Sequence, residues 1–144
     1  SSILARGSRG CGGDGWWVGL RDPLRPDERL GDIRLRNRAL GTSGTLKQFF
    51  YHEGRRYGHI LDPRTGRPAE GMLSTTVLAP TAAEADALST AMFVMEMKAA
   101  VKYCQAHPHI AAVLVAPGAK HGAVDFRVIG IDEADWKPAD AKAR

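Results

Sequence analysis

The segment 74–95, STTVLAPTAAEADALSTAMFVM, restricts the fold more than any other part of the chain. It opens on a β-branched run, stops at Pro80, and restarts with Thr81-x-x-Glu84, the reciprocal hydrogen-bonding box that sets a helix start at Thr81. In that register residues 85–95 are apolar on nearly every side, and their only polar members are Asp86, Ser89 and Thr90. A helix that is apolar all round must be covered on most of its surface. The remainder of the chain therefore has to supply layers that enclose it.

It offers mostly strands. SSILARG, WWVGL, DIRLRNRAL, MLSTTVLAP, IAAVLVAPG and VDFRVIGID read as strands, the last two as core strands joined by a turn at AKHG. FFYHEGRRY reads as two short strands joined at HEG, and KAAVKYCQAH as a second helix ended by Pro108. The loop GSRGCGGDG lacks the lysine and hydroxyl of a phosphate-binding loop and the spacing of a dinucleotide fingerprint, so a hairpin connection is expected there. RDPLRPDERLG is expected to be a proline-punctuated surface crossing, GTSG at 41–44 a bend, and EADWKPADAKAR a polar tail. The expectation is one α+β unit over residues 1–144, mainly antiparallel sheet with a buried helical pair.

With 44% hydrophobic and 25% charged residues in 144, the composition is globular. No run approaches the length of a membrane-spanning helix. The chain opens directly on a strand-like run without an initiator methionine, as a piece of something longer would. Charge is unevenly spread. Residues 1–67 carry thirteen Lys and Arg, twelve of them Arg, against seven acids, whereas the remainder carries seven against nine. The first half is thus suited to an anion. Nucleic acid is not the expected partner, because the aromatics beside the basic residues alternate in strand fashion and form no RNA-reading motif. Arg34, Arg36 and Arg38 are expected on one face, either solvated or turned to a ligand, with the solvated face preferred. Cys11 and Cys104 fit neither a zinc site nor a disulfide framework and read as two unpaired thiols.

Two constellations carry chemistry. In HILDPRTGRP the apolar pair Ile60 and Leu61 ends a strand, Asp62 can accept from amides two residues on, Pro63 presets the turn, and Gly66 takes the conformation that the exit requires. His59 stands at the entrance to this stiff turn, where it is either a strand-end residue or a positioned acid/base group. On the apolar helix, Asp86 and Thr90 are four residues apart and share a face with Phe93 and Met97. A carboxylate in apolar surroundings needs a partner. Oxygen ligands suit a hard cation, Mg²⁺ or Ca²⁺, and a salt bridge to one of the arginines is the equal alternative. Thr42, Ser43 and the amides around them can hold a phosphate or close a loop.

Taken together, HILDPRTGRP and STTVLAPTAAEADALSTAMFVM, preceded by WWVGLRDP and LGTSG in that order, resemble the ApbE family, the FAD:protein FMN transferases once called thiamine biosynthesis lipoproteins. The resemblance runs from about residue 1 to about residue 115 and covers the C-terminal half of the family's domain. It implies a Mg²⁺-dependent cleavage of the FAD pyrophosphate, with FMN transferred to a Thr or Ser hydroxyl of a client flavoprotein and AMP released. On that pattern Asp86 and Thr90 take the metal-ligand positions and His59 is the base for the client hydroxyl. Ser43, Ile60, Asp62, Thr65 and Gly66, with His59, fall on segments that line the flavin site. Family members are typically exported and lipid-anchored at the bacterial inner membrane, which implies a periplasmic setting. A hydrolase releasing FMN and AMP and a non-catalytic flavin-binding module are the alternatives. Two positions depart from the pattern: Glu96 replaces the usual Gly, suggesting altered helix termination, and Gly58 replaces a larger residue, suggesting a more open pocket mouth.

Overall fold

A computed structural model describes residues 1–8, 13–45, 49–120 and 122–139, with the backbone alone for Arg55 and Arg56. The elements run β1 (Ser2–Leu4), β2 (Trp16–Arg21), β3 (Arg29–Leu35), β4 (Ala39–Gly44), β5 (Phe49–His52), β6 (Arg55–Gly58), β7 (Leu61–Asp62), β8 (Arg67–Pro68), β9 (Ser74–Ala79), α1 (Ala82–Ala106), β10 (Ala111–Pro117), β11 (Val124–Ile129) and β12 (Trp136–Pro138). A five-stranded antiparallel sheet has the order β1-β4-β9-β10-β11, and a three-stranded one the order β12-β3-β2. Two small hairpins, β5-β6 and β7-β8, complete the set.

The five-stranded sheet is the middle of three layers. Strand alternation sends Val77 and Ala79 of β9, with Ala112 and Leu114 of β10, into one cluster with Met92 and Phe93 of α1. Leu78, Val113 and Val115 leave by the opposite face and pack with Leu20, Leu30, Ile33 and Leu35 of the three-stranded sheet. A sheet buried on both faces needs strands that are apolar throughout, and β10 is buried at five successive positions.

The helix begins where its sequence requires. Thr81 Oγ1 accepts from the Glu84 amide at 3.2 Å, satisfying a donor of the first turn. The expected helical pair is present as two helical stretches of α1 that meet at a kink at Glu96, whose φ of 67° and ψ of 170° lie outside helical space. The departure at that position thus interrupts the helix.

Other expectations give way to long-range pairing. Strands β1 and β2 form no hairpin, because β1 pairs with β4 while β2 pairs with β3; residues 9–12 of the Gly-rich segment, Cys11 among them, lie outside the described residues. The bend expected at 41–44 is the end of β4, paired residue by residue with β9. The run DIRLRNRAL breaks at Asn37, whose φ is 48°, into β3 and β4. The polar tail contributes β12, which joins β3 through Trp136 opposite Ile33. Strand β11 is half-buried at the sheet edge, not a core strand. The crossing after β2 is anchored by Asp22, almost wholly covered, which accepts from the Leu24 and Arg25 amides and the Arg25 guanidinium. Burial alone would push its carboxyl up; the Arg25 side chain and the two amides outweigh it and hold the group below the ordinary aspartate range.

The three arginines are neither solvated together nor turned to a ligand. Arg34 donates to Asp135 at 2.7 Å and Asp14 at 3.2 Å, Arg36 donates to Asp135 at 3.0 Å, and Arg38 caps the carbonyls of Leu78 and His109. Arg34 and Lys137 also lie over the Trp17 ring, at 5.2 and 4.1 Å. Arg34 and Arg36 thus tie the end of β3 to the C-terminal segment. Cys104 is a buried free thiol whose burial pushes its pKa up.

Candidate active site

Gly41 determines how closely α1 lies on the sheet. A Cβ there would fall 2.5 Å from the Ala85 carbonyl oxygen and 2.8 Å from the Asp86 amide, both of them backbone atoms. Without one, the first turns of α1 rest directly on β4. Four residues of helix then rise about 6.0 Å, while two residues of strand advance about 6.6 Å. The contact of Gly41 with residues 85 and 86 is therefore repeated one turn on, where Ser43 meets Ser89 and Thr90. The Ser43 hydroxyl lies 2.9 Å from each of their hydroxyls. Thr75 of β9 locks the same turn from the other side by donating to the Ser89 carbonyl at 2.5 Å.

Ser43, Asp86 and Thr90 border a cleft of about 580 Å³, lined from both faces of the β4/β9 pair. Its lining includes Thr42, Ser43, His59, Asp86 and Thr90, together with apolar residues such as Leu20 and Val113. Thr42 and Thr76 hydroxyls pair across the strands at 2.9 Å. Four of the residues singled out from sequence, Ser43, His59, Asp86 and Thr90, thus share one cavity. They come from β4, from the residue after β6, and from two successive turns of α1.

The Asp86 carboxylate does not lie in apolar surroundings. Asp86 and Thr90 are exposed, while Phe93, on the same side two turns along, is fully buried. Helix register fixes the direction of a side chain; cover depends on what lies over each turn. The carboxylate has no arginine partner among the described residues, and it accepts from the Ser2 hydroxyl of β1 at 2.7 Å. It is a solvated carboxylate facing a cleft, with a hydroxyl one turn beyond it.

The other candidates fall elsewhere. Ile60 is buried in the core beneath α1, and its neighbour Leu61 is exposed, so the expected apolar pair is split; it does not end a strand, since β6 stops at Gly58 and Leu61 opens β7. Asp62, Thr65 and Gly66 form the β7-β8 turn as read from sequence: Asp62 Oδ1 accepts from the Arg64 amide at 2.9 Å, its carbonyl from the Gly66 amide at 2.8 Å, and Gly66 takes a φ of 68°. The Arg64 guanidinium, and then its amide, hold the Asp62 carboxyl below the ordinary range. Arg64 also donates to the Val94 carbonyl in the last turn before the kink, fastening this turn to α1. None of Ile60, Asp62, Thr65 and Gly66 lines the cleft. Gly58 does not widen the mouth. It is buried, and a Cβ there would meet the Thr45 methyl at 2.7 Å.

Two residues of the site were not assigned a role from sequence. Ser2 carried no signal, since its partner is 84 residues away. Ser89 carried one, as a polar side chain on an apolar helix three residues from Asp86.

The donor set suits a hard cation that keeps most of its own shell. Two protein oxygens one helical turn apart, open to a cleft, match the sparse protein ligation typical of Mg²⁺, with waters and phosphate oxygens completing the sphere. Among the described residues no group of three or more His, Cys, Asp or Glu forms a closed metal cage.

The model of the ApbE family matches residues 1–114. The chain belongs to the ApbE family. It is similar to the FAD:protein FMN transferase of Escherichia coli K12, 37% identical over 95 residues, covering 63% of this chain and 27% of that protein. The FAD:protein FMN transferase of Treponema pallidum is 36% identical over 104 residues, covering 71% of this chain and 29% of its own length. The crystal structure of the ApbE protein of Thermotoga maritima superposes with a TM-score of 0.65 at 40% identity, over 76% of this chain and 35% of that one. The chain therefore spans less than a third of the length of these two curated relatives.

Proposed function

We propose that this chain carries the cation-binding and proton-accepting side of an FAD:protein FMN transferase. The observation that supports this most is the convergence of Ser43, His59, Asp86 and Thr90 on one cleft, in a member of a family whose curated relatives bear that name. Asp86 and Thr90 hold Mg²⁺, which when bound neutralises the pyrophosphate of FAD and makes its phosphorus open to attack. His59 accepts the proton of a Thr or Ser hydroxyl on the client protein. The client oxygen then bonds to the FMN phosphorus, the bond to the AMP phosphate oxygen breaks, and AMP leaves. Positioning and charge neutralisation supply most of what phosphoryl transfer needs, so one carboxylate, one hydroxyl and one imidazole are a sufficient contribution from this side. By the same resemblance the whole protein works in the bacterial periplasm, at the inner membrane. No helix among the described residues is long and apolar enough to cross a membrane.

The test incubates the whole protein with FAD and Mg²⁺, alone and with a client bearing an acceptor Thr or Ser, and follows AMP and covalent flavin. A transferase releases AMP mainly when the client is present. His59→Ala should lower transfer by about 10² to 10⁴ while FAD still binds. Release of AMP and free FMN without client would make the protein a hydrolase, and release of neither would leave a flavin-binding module.

A further inference from the structure

Ser89 has no exposed surface, yet its hydroxyl belongs to the chain of hydrogen bonds that ends at Thr90. The protons in that chain can be assigned. Ser89 Oγ lies 2.9 Å from the Asp86 carbonyl, which can only accept; placing the single Ser89 proton there fills that contact, whereas donating it to Ser43 would leave the contact empty. Ser43 Oγ lies 2.9 Å from Ser89 Oγ, whose proton is already committed, so Ser43 must be the donor of that pair. Thr90 Oγ1 lies 2.9 Å from Ser43 Oγ, whose own proton is now used, so Thr90 must donate in turn. The other acceptor within reach of Thr90, the Asp86 carbonyl at 3.4 Å, also lies inward. In both cases the Thr90 proton points into the fold and its lone pairs point to the cleft.

We propose that Ser89 is a positioning residue: by fixing the direction of the Ser43 hydroxyl it holds Thr90 with its lone pairs toward the cation site. The inference rests on the reading of Asp86 and Thr90 as cation ligands. A neutral hydroxyl binds a cation only through a lone pair, so the proton must be kept away from the metal. Without Ser89, Ser43 loses its committed acceptor and donates to Thr90 instead. That takes a lone pair of Thr90 and frees its proton to turn toward the cleft. Ser89 touches neither cation nor substrate and acts only through Ser43.

The experiment measures Mn²⁺ affinity of the whole protein by electron paramagnetic resonance, in the absence of FAD and client. Four forms are compared: the parent, Ser89→Ala, Ser43→Ala and the double variant, with Asp86→Asn as reference. Ser89→Ala should weaken Mn²⁺ binding about tenfold, as loss of an outer-shell partner commonly does. With Ser43 already replaced, Ser89→Ala should have no further effect, because the hydroxyl it directs is gone. Equal losses in both backgrounds would mean that Ser89 serves helix packing alone and would overturn the proposal. No loss in the parent background would do the same. If Asp86→Asn binds Mn²⁺ as tightly as the parent, the cation reading itself falls, and the role of Ser89 with it. If Asp86→Asn abolishes binding while Ser89→Ala leaves it intact, only the positioning role is lost.

Discussion

Replacing Gly41 with alanine places a methyl carbon 2.5 Å from the Ala85 carbonyl oxygen, 2.6 Å from its carbon and 2.8 Å from the Asp86 amide. All three are backbone atoms, so no side chain can rotate away; the helix itself has to recede by about 1 Å to reach ordinary contact. Overpacking of this kind costs about 1–3 kcal/mol. The damage does not stop at stability. Ser43 holds Ser89 and Thr90 at 2.9 Å, and a recession of that size would carry both hydroxyls to about 4 Å, beyond hydrogen-bonding reach. Gly41→Ala should therefore lower the urea-unfolding free energy of the whole protein by about 1–3 kcal/mol and weaken Mn²⁺ binding at the same time. Unfolding within about 0.5 kcal/mol of the parent, together with unchanged Mn²⁺ affinity, would refute the claim that this glycine sets the seat of the helix.

Glu96 occupies a backbone region in which glycine alone is comfortable, at a strain of about 1–3 kcal/mol. Glu96→Gly should raise the thermal midpoint; a fall would mean that the attraction of its carboxylate for Arg64 outweighs the strain. Asp22 is held ionised by Arg25 and two amides, with a native pKa below that of the unfolded chain. Its contribution is therefore present above the ordinary aspartate value, about 3.9, and is lost as pH falls through the lower native value. Asp22→Asn should cost about 1–3 kcal/mol at neutral pH and converge with the parent in acid; parallel stability curves across that range would contradict this account.

Local chemistry made several features readable without a structure. The Thr81 cap, the Asp62 to Gly66 turn and the HEG hairpin each depend on residues within a few positions of one another. Side-chain and backbone preferences settle such features before any tertiary contact forms. The candidate residues were found in the same way, because an imidazole beside a stiff turn and polar groups on an apolar helix are visible in one dimension.

What sequence could not supply was the cover. Asp86 and Phe93 project from nearly the same side of α1, yet one meets solvent and the other sits in the core cluster that holds Ile60 and Met72, because cover is supplied by segments distant in sequence. GTSG has weak strand propensity and reads as a bend; pairing with β9 makes it a strand, since a backbone beside an open ladder gains its hydrogen bonds from the neighbour and not from its own side chains. The arginines read as a ligand face or a solvated one because Asp135 lies about a hundred residues away in sequence. Ser89 was visible as an anomaly, but its hydroxyl acquired a direction only when the missing side chain of Gly41 let the helix settle onto β4. Periodicity fixes which way a group points along its own element. Which group it meets is decided by packing between elements, and in this chain the hydroxyl chain, the carboxylate and the cleft that joins them to His59 all arise at that level.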